Sequence, residues 1–111
     1  NQRKHELQKM NLQENTRQSY QQFFKAQYSQ QVKQLSSMLE SVENSIKITN
    51  NQLADSKNLV VLIKTQLNSG NTSIVELINA LKNINSVNRS LTLLKAQKLK
   101  IINEYNYWLQ K

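Results

Sequence analysis

"NSGNTSIVEL", residues 68–77, holds the only glycine of a 111-residue chain that contains no proline. Gly70 suits the left-handed backbone position just past a helix end, where a side chain costs energy. Ser73 and Glu76 stand three apart in an S-x-x-E pattern, which predicts a capping box at the start of a new helix. The Ser73 hydroxyl is expected to accept from the backbone N–H of residue 76, and Glu76 to reach back to the N–H of residue 73. The carboxylate also complements the positive end of that helix. A stop followed at once by a start, with unbroken sequence on both sides, reads as one reversal in a helical chain.

The flanking sequence agrees. Before the glycine, a seam runs through Tyr28, Val32, Leu35, Leu39, Val42, Ile46, Thr49, Leu53, Ser56, Val60, Ile63 and Leu67. Its steps alternate four and three throughout, the 3.5-residue repeat of left-handed coiled-coil packing. After the glycine, a second seam is expected through Ile74, Leu77, Leu81, Ile84, Val87, Leu91, Leu94, Lys98, Ile101, Tyr105 and Trp108. That choice contains two successive steps of three around Ile84, a stammer that overwinds a supercoil locally. The stem of Lys98 can cover the seam while its ammonium reaches water. A further apolar set, Ile78, Leu93, Leu99, Ile102 and Leu109, lies off the seam and predicts that the second helix meets more than one neighbour.

The expected fold is therefore all-α, a long antiparallel two-helix coiled-coil hairpin occupying a single domain, residues 1–111. Its parts are a helix over 2–68, a turn over 69–72 and a helix over 73–110. The arms are unequal, roughly 100 Å and 57 Å long at 1.5 Å per residue. The second helix then covers the first only back to about residue 30. Tyr105 and Trp108 are expected near Val32 and Tyr28, with Tyr107 turned toward another helix. The opening residues, with only Leu7, Met10 and Leu12 as apolar content, lack a partner within the chain. So thin a structure buries little surface, which predicts an oligomer or a part of a larger assembly.

Composition narrows the function. Hydrophobic residues make up 38% and aromatics 6% of the chain, lean for a compact globule. The near-absence of turn formers argues against sheets joined by tight hairpins. The absence of cysteine removes disulfide scaffolds and thiolate metal sites. No stretch approaches the roughly 18 apolar residues of a membrane helix, and "NQRKHELQK" has no signal-type apolar core, so an exported form would be a mature fragment. The net charge of +8 admits nucleic acid or anionic lipid as a partner. Lys25, Lys33, Lys47, Lys57 and Lys64 are instead spread out as on solvated helix faces, and patches mark binding better than totals.

No chemistry-bearing constellation stands out. His5 sits in a polar segment with Glu6 alone beside it, a solvated histidine and not a ligand. Glu40 and Glu43 read as helix-surface charges. Phosphate loops, nucleophile elbows and metal motifs are missing. The sequence predicts no enzyme and calls for no cofactor.

"QLNSGNTSIVELINAL", residues 66–81, followed by "YNYWL", resembles the C-terminal half of the TolC-like outer membrane efflux protein family. That family carries a glycine at a hairpin tip, then a small hydroxyl residue, then an acidic residue before an apolar pair and an alanine. Gly70, Ser73, Glu76, Leu77, Ile78 and Ala80 match in order. The opening "NQRKHELQK" resembles the start of the long helix that leaves the family's barrel. The resemblance implies the second of two periplasmic hairpins, without the barrel strands and the first hairpin. It further implies a homotrimer with a barrel in the outer membrane and an α-helical tunnel in the periplasm, a passive conduit. The tip would dock a periplasmic adaptor (membrane fusion) protein, which joins the channel to an inner-membrane transporter in multidrug efflux or type I secretion. On that basis Asn68, Ser69, Gly70, Asn71, Thr72 and Ser73 are the candidate docking tip, and Glu76 and Asn79 the candidate pore entrance. Members often carry Arg-Tyr where this chain has Gln66 and Leu67, and some a second acid where it has Asn79. An acidic entrance here rests on Glu76 alone, which the capping box by itself would explain.

Two readings from other classes stand beside this one. A self-associating coiled-coil scaffold predicts a soluble oligomer that needs no other segment. A basic helical module for nucleic acid predicts affinity that falls steeply with salt, and the scattered lysines argue against it.

Overall fold

The computed structural model describes residues 1–110; Lys111, the last residue of the expected domain, lies outside the described residues. Two helices make up the chain, α1 (Gln2–Asn68) and α2 (Ile74–Leu109). They form the all-α antiparallel hairpin that the two seams predict. Its extents are 102 × 19 × 14 Å and its radius of gyration 28.0 Å, against about 13 Å for a compact chain of this size. The contour length of α1 is about 100 Å. A rod whose longest extent is 102 Å leaves no room for a sharp bend in that helix.

α1 begins at Asn1, whose side-chain oxygen accepts from the Arg3 N–H at 3.2 Å. From there to Asn68 no glycine or proline interrupts it. Its seam falls where the repeat predicts. Leu35, Val42, Thr49, Ser56, Val60 and Ile63 are buried, and Tyr28, Val32, Leu39, Ile46, Leu53 and Leu67 are half-buried. Residues 1–27 are all exposed, so α2 covers α1 back to Tyr28, close to the expected limit. Within that stretch Arg17 pairs with Glu14 at 2.7 Å one turn away. The hydrogen bond and charge of Arg17 hold the Glu14 carboxyl below its usual range.

The seam of α2 departs from expectation in one place. Ile74 and Leu81 are exposed, at 56% and 42%, while Ala80 is buried at 6%. The seam therefore runs Leu77, Ala80, Ile84, Val87, Leu91, Leu94, Lys98, Ile101, Tyr105 and Trp108, all buried or half-buried. Its steps alternate three and four with no stammer, and they extend back to Ser73. Packing decided this against hydrophobicity. A knob must face its hole, and an unbroken repeat puts the small Ala80, not the larger Leu81, toward Val60 and Ile63.

Two clusters hold the hairpin shut. Near the tip, Val60, Ile63 and Ala80 are packed with Leu77 and Ile84. Toward the open end, Leu35, Val42 and Ile101 are packed with Leu39, Leu94, Tyr105 and Trp108. Tyr28 and Trp108 meet edge to face at 6.4 Å, as the aromatic end of the sequence predicts. Lys98 reaches out of the seam to Glu43 at 3.5 Å. Among the described residues, no large side chain is fully buried. Two helices enclose no closed interior, so each large seam side chain keeps an edge toward solvent. No described helix is long and apolar enough to cross a membrane.

Candidate functional site

The hairpin tip is built by the last turn of α1. Ser69 caps the helix with φ −91° and ψ 4°, and Gly70 follows with φ +75°, the only positive φ among the described residues. The Gly70 N–H donates to Leu67 O at 3.1 Å and the Asn71 N–H to Gln66 O at 2.8 Å. These two bonds make a Schellman motif, which satisfies helix-end carbonyls by turning the chain left-handed for one residue. A side chain at Gly70 would meet nothing within 4 Å. The glycine is required by its backbone angle and not by crowding.

Side chains tighten the turn. The Ser69 hydroxyl lies 3.1 Å from Thr65 O and 3.2 Å from Gln66 O, and the Asn71 amide donates to Ser69 Oγ at 3.4 Å. Thr72 is half-buried, whereas Asn68, Ser69, Gly70, Asn71 and Ser73 are exposed. The structure thus brings the six predicted docking residues together as one compact polar knob at the end of the rod.

The return into α2 differs from the capping box. Ser73 stands at the N-cap position with extended backbone, φ −108° and ψ 160°, but its side chain makes no cap bond. The Glu76 N–H instead donates to the Ser73 backbone carbonyl at 3.2 Å. Because Ser73 is the N-cap with non-helical backbone, α2 begins at Ile74, one residue later than expected, and it ends at Leu109 rather than residue 110. The side-chain cap itself is lost to competition at the turn. The Schellman motif already fixes the chain direction at residues 70–71, and the tight Ser73–Glu76 backbone bond satisfies the donor that the hydroxyl would have taken.

The Glu76 carboxylate is therefore left exposed in the first turn of α2, where the helix dipole favours it. Asn79, one turn on, is also exposed. The two lie on the same flank of α2, on the Ala80 side of the seam, and form a short polar strip that runs up from the tip. Of the other sequence candidates, His5, Glu40 and Glu43 are exposed, and no group of metal-ligating side chains is found among the described residues.

Sequence reasoning missed the cross-helix pair Ser56–Asn83, in which the Asn83 amide donates to Ser56 Oγ at 3.0 Å. Counting back in sevens from Trp108 through Ile101 and Val87 puts Ala80 on the seam and Asn83 at its rim, but only the packing of α2 on α1 sets Asn83 beside Ser56.

The comparisons with known proteins find no match among family models, curated proteins or solved structures.

Proposed function

We propose that the hairpin is a wall segment of the periplasmic tunnel of a trimeric, TolC-like outer membrane channel. Its tip docks a periplasmic adaptor, and the channel serves as a passive conduit. The observation that carries this reading is the tip itself. A polar, exposed, tightly hydrogen-bonded knob centred on Gly70 stands at the end of a rod 102 Å long. A rigid rod with a built end suits presentation of that end to a partner at a distance. Among the described residues no large side chain is fully buried, which supports membership in a larger wall. On this reading the strip of Glu76 and Asn79 lies at the tunnel entrance, and the chain functions in the periplasm, tied to the outer membrane by barrel segments.

A photo-crosslinker placed at Asn71 of the full-length channel tests it. Covalent capture of the periplasmic adaptor is expected from Asn71 and not from Asn58, an exposed residue partway up the rod. Equal capture from both positions, or none from Asn71, ends the docking role.

The self-associating scaffold is kept as a second reading, because both helices carry exposed apolar residues outside their seams.

A further inference from the structure

Each helix carries a second apolar stripe beside its seam. On α1 it consists of Met38, Ile48, Leu59 and Leu62, exposed at 41%, 58%, 45% and 52%. On α2 it consists of Ile74, Ile78, Leu81 and Leu99, exposed at 56%, 45%, 42% and 60%, with the half-buried Ile102 in line. The seam registers place the stripes on opposite broad faces of the two-helix ribbon. Met38 and Ser45 border one groove together with Gln97, whereas Lys33 and Ser36 border the other with Tyr105. In antiparallel packing the first groove continues past Leu59 and Glu76, and the second past Lys57, Lys64, Ile74 and Leu81.

The heights match at three of the four α1 positions as well. The cross-helix pairs Ser56–Asn83 and Glu43–Lys98 set which residues of the two helices lie level. On that scale Leu62 is level with Ile78, Leu59 with Leu81, and Met38 with Ile102. Charge separates the faces. The face of the α1 stripe carries Asp55, Glu76 and Glu104 against Lys100. The face of the α2 stripe carries Lys33, Lys47, Lys57, Lys64 and Lys95 against Glu40 and Glu43.

We propose that a second copy of this chain covers each stripe, the α1 stripe of one hairpin packing on the α2 stripe of the next, with tips aligned. Face-to-same-face dimers would bring Lys57 and Lys64 onto their own copies, or Asp55 and Glu76 onto theirs. The unlike pairing joins acid to base and apolar to apolar. Level matching removes any stagger, and it also rules against a tip-to-tail arrangement, which would set Leu59 and Leu62 beside the far end of the partner. Such a contact is heterologous, because one copy's used face leaves the other face free for a further copy. It therefore builds rings or open rows, not closed dimers. This inference goes beyond the channel reading and does not depend on it, since a scaffold would use the same faces.

Cross-linking of the purified chain, which has no native cysteine, tests the contact. Leu62→Cys and Ile78→Cys are made singly and together, at exposed positions that leave the seam intact, and retained helicity is checked by circular dichroism. On oxidation the double variant is expected to give a ladder of dimers, trimers and higher species. An equal mixture of the two single variants is expected to give one dimer, and each single variant alone at least tenfold less. High salt is expected to lower the ladder yield severalfold. A folded double variant that stays monomeric, or single variants that dimerise as well as the mixture, overturns the proposal. A ladder from a chain whose tip captures no adaptor would keep this contact and remove the docking role.

Discussion

The Asn83 amide donates to Ser56 Oγ at 3.0 Å, one hydrogen bond between two helices across 27 residues of sequence. Ser56 is a seam residue only 8% exposed, and Asn83 lies on the rim one step from Ile84. A polar group on the seam costs packing, but its bond is made in one register only, since a slip of either helix separates the pair. The structure thus carries a register mark in its middle, between the two apolar clusters.

A double-mutant cycle checks this bond. Ser56→Ala and Asn83→Ala are each expected to lower unfolding stability by about 0.5–1.5 kcal/mol, the usual net worth of such a bond. The double variant should lose little more than one of them, because the same bond is removed. Fully additive losses in urea titrations would show that the two side chains act separately.

The route of the seam gives an opposite pair of outcomes. Ala80 is 6% exposed and Leu81 42%. Ala80→Leu should overpack the tip cluster and cost about 1–3 kcal/mol. Leu81→Ala in dilute solution should cost less than about 1 kcal/mol. A seam through Leu81 would reverse that order, and thermal or urea unfolding of the two variants decides it.

At Gly70 the strain is backbone strain, since φ is +75° and no atom crowds the position. Gly70→Ala should cost about 1–2 kcal/mol. Gly70→Asn should cost less, because asparagine tolerates the left-handed region, and Gly70→Val more, because its Cβ is branched. Denaturation midpoints that fail to fall in the order Gly, Asn, Ala, Val would mean that the turn re-forms in another conformation.

Glu76 lies in the first turn of α2 and its side chain makes no cap bond. Glu76→Gln should therefore cost only the dipole contribution, about 0.3–1 kcal/mol at low salt. In the full channel the same variant should weaken cation preference, and Asn79→Asp should strengthen it. Unchanged ion selectivity in planar-bilayer recordings of both would remove the strip from the pore entrance.

The hairpin was legible because its signals are local and redundant. A strict 3.5-residue repeat from Tyr28 to Leu67 can face only one partner, and a chain with one glycine has one place to turn. The turn expected over 69–72 was legible for the same reason, since α1 ends at Asn68 and α2 starts at Ile74. The bond between Ser73 and Glu76 was not, because two donors and two acceptors at a turn admit several pairings of similar energy. Ala80 was passed over because a reading by hydrophobicity prefers the leucine beside it. Only the facing Val60 and Ile63 make the alanine the better fit.

By itself, then, the sequence determined the class of the molecule: two helices, one reversal at Gly70, and unequal arms that leave the residues before about 30 uncovered. These follow from periodicity, from the rise per residue and from the one residue at ease with positive φ. Tertiary structure decided the register of α2, the free carboxylate of Glu76 and the opposition of the two outer stripes. Each depends on where one helix sits against the other, a relation between residues far apart in the chain that no local pattern contains.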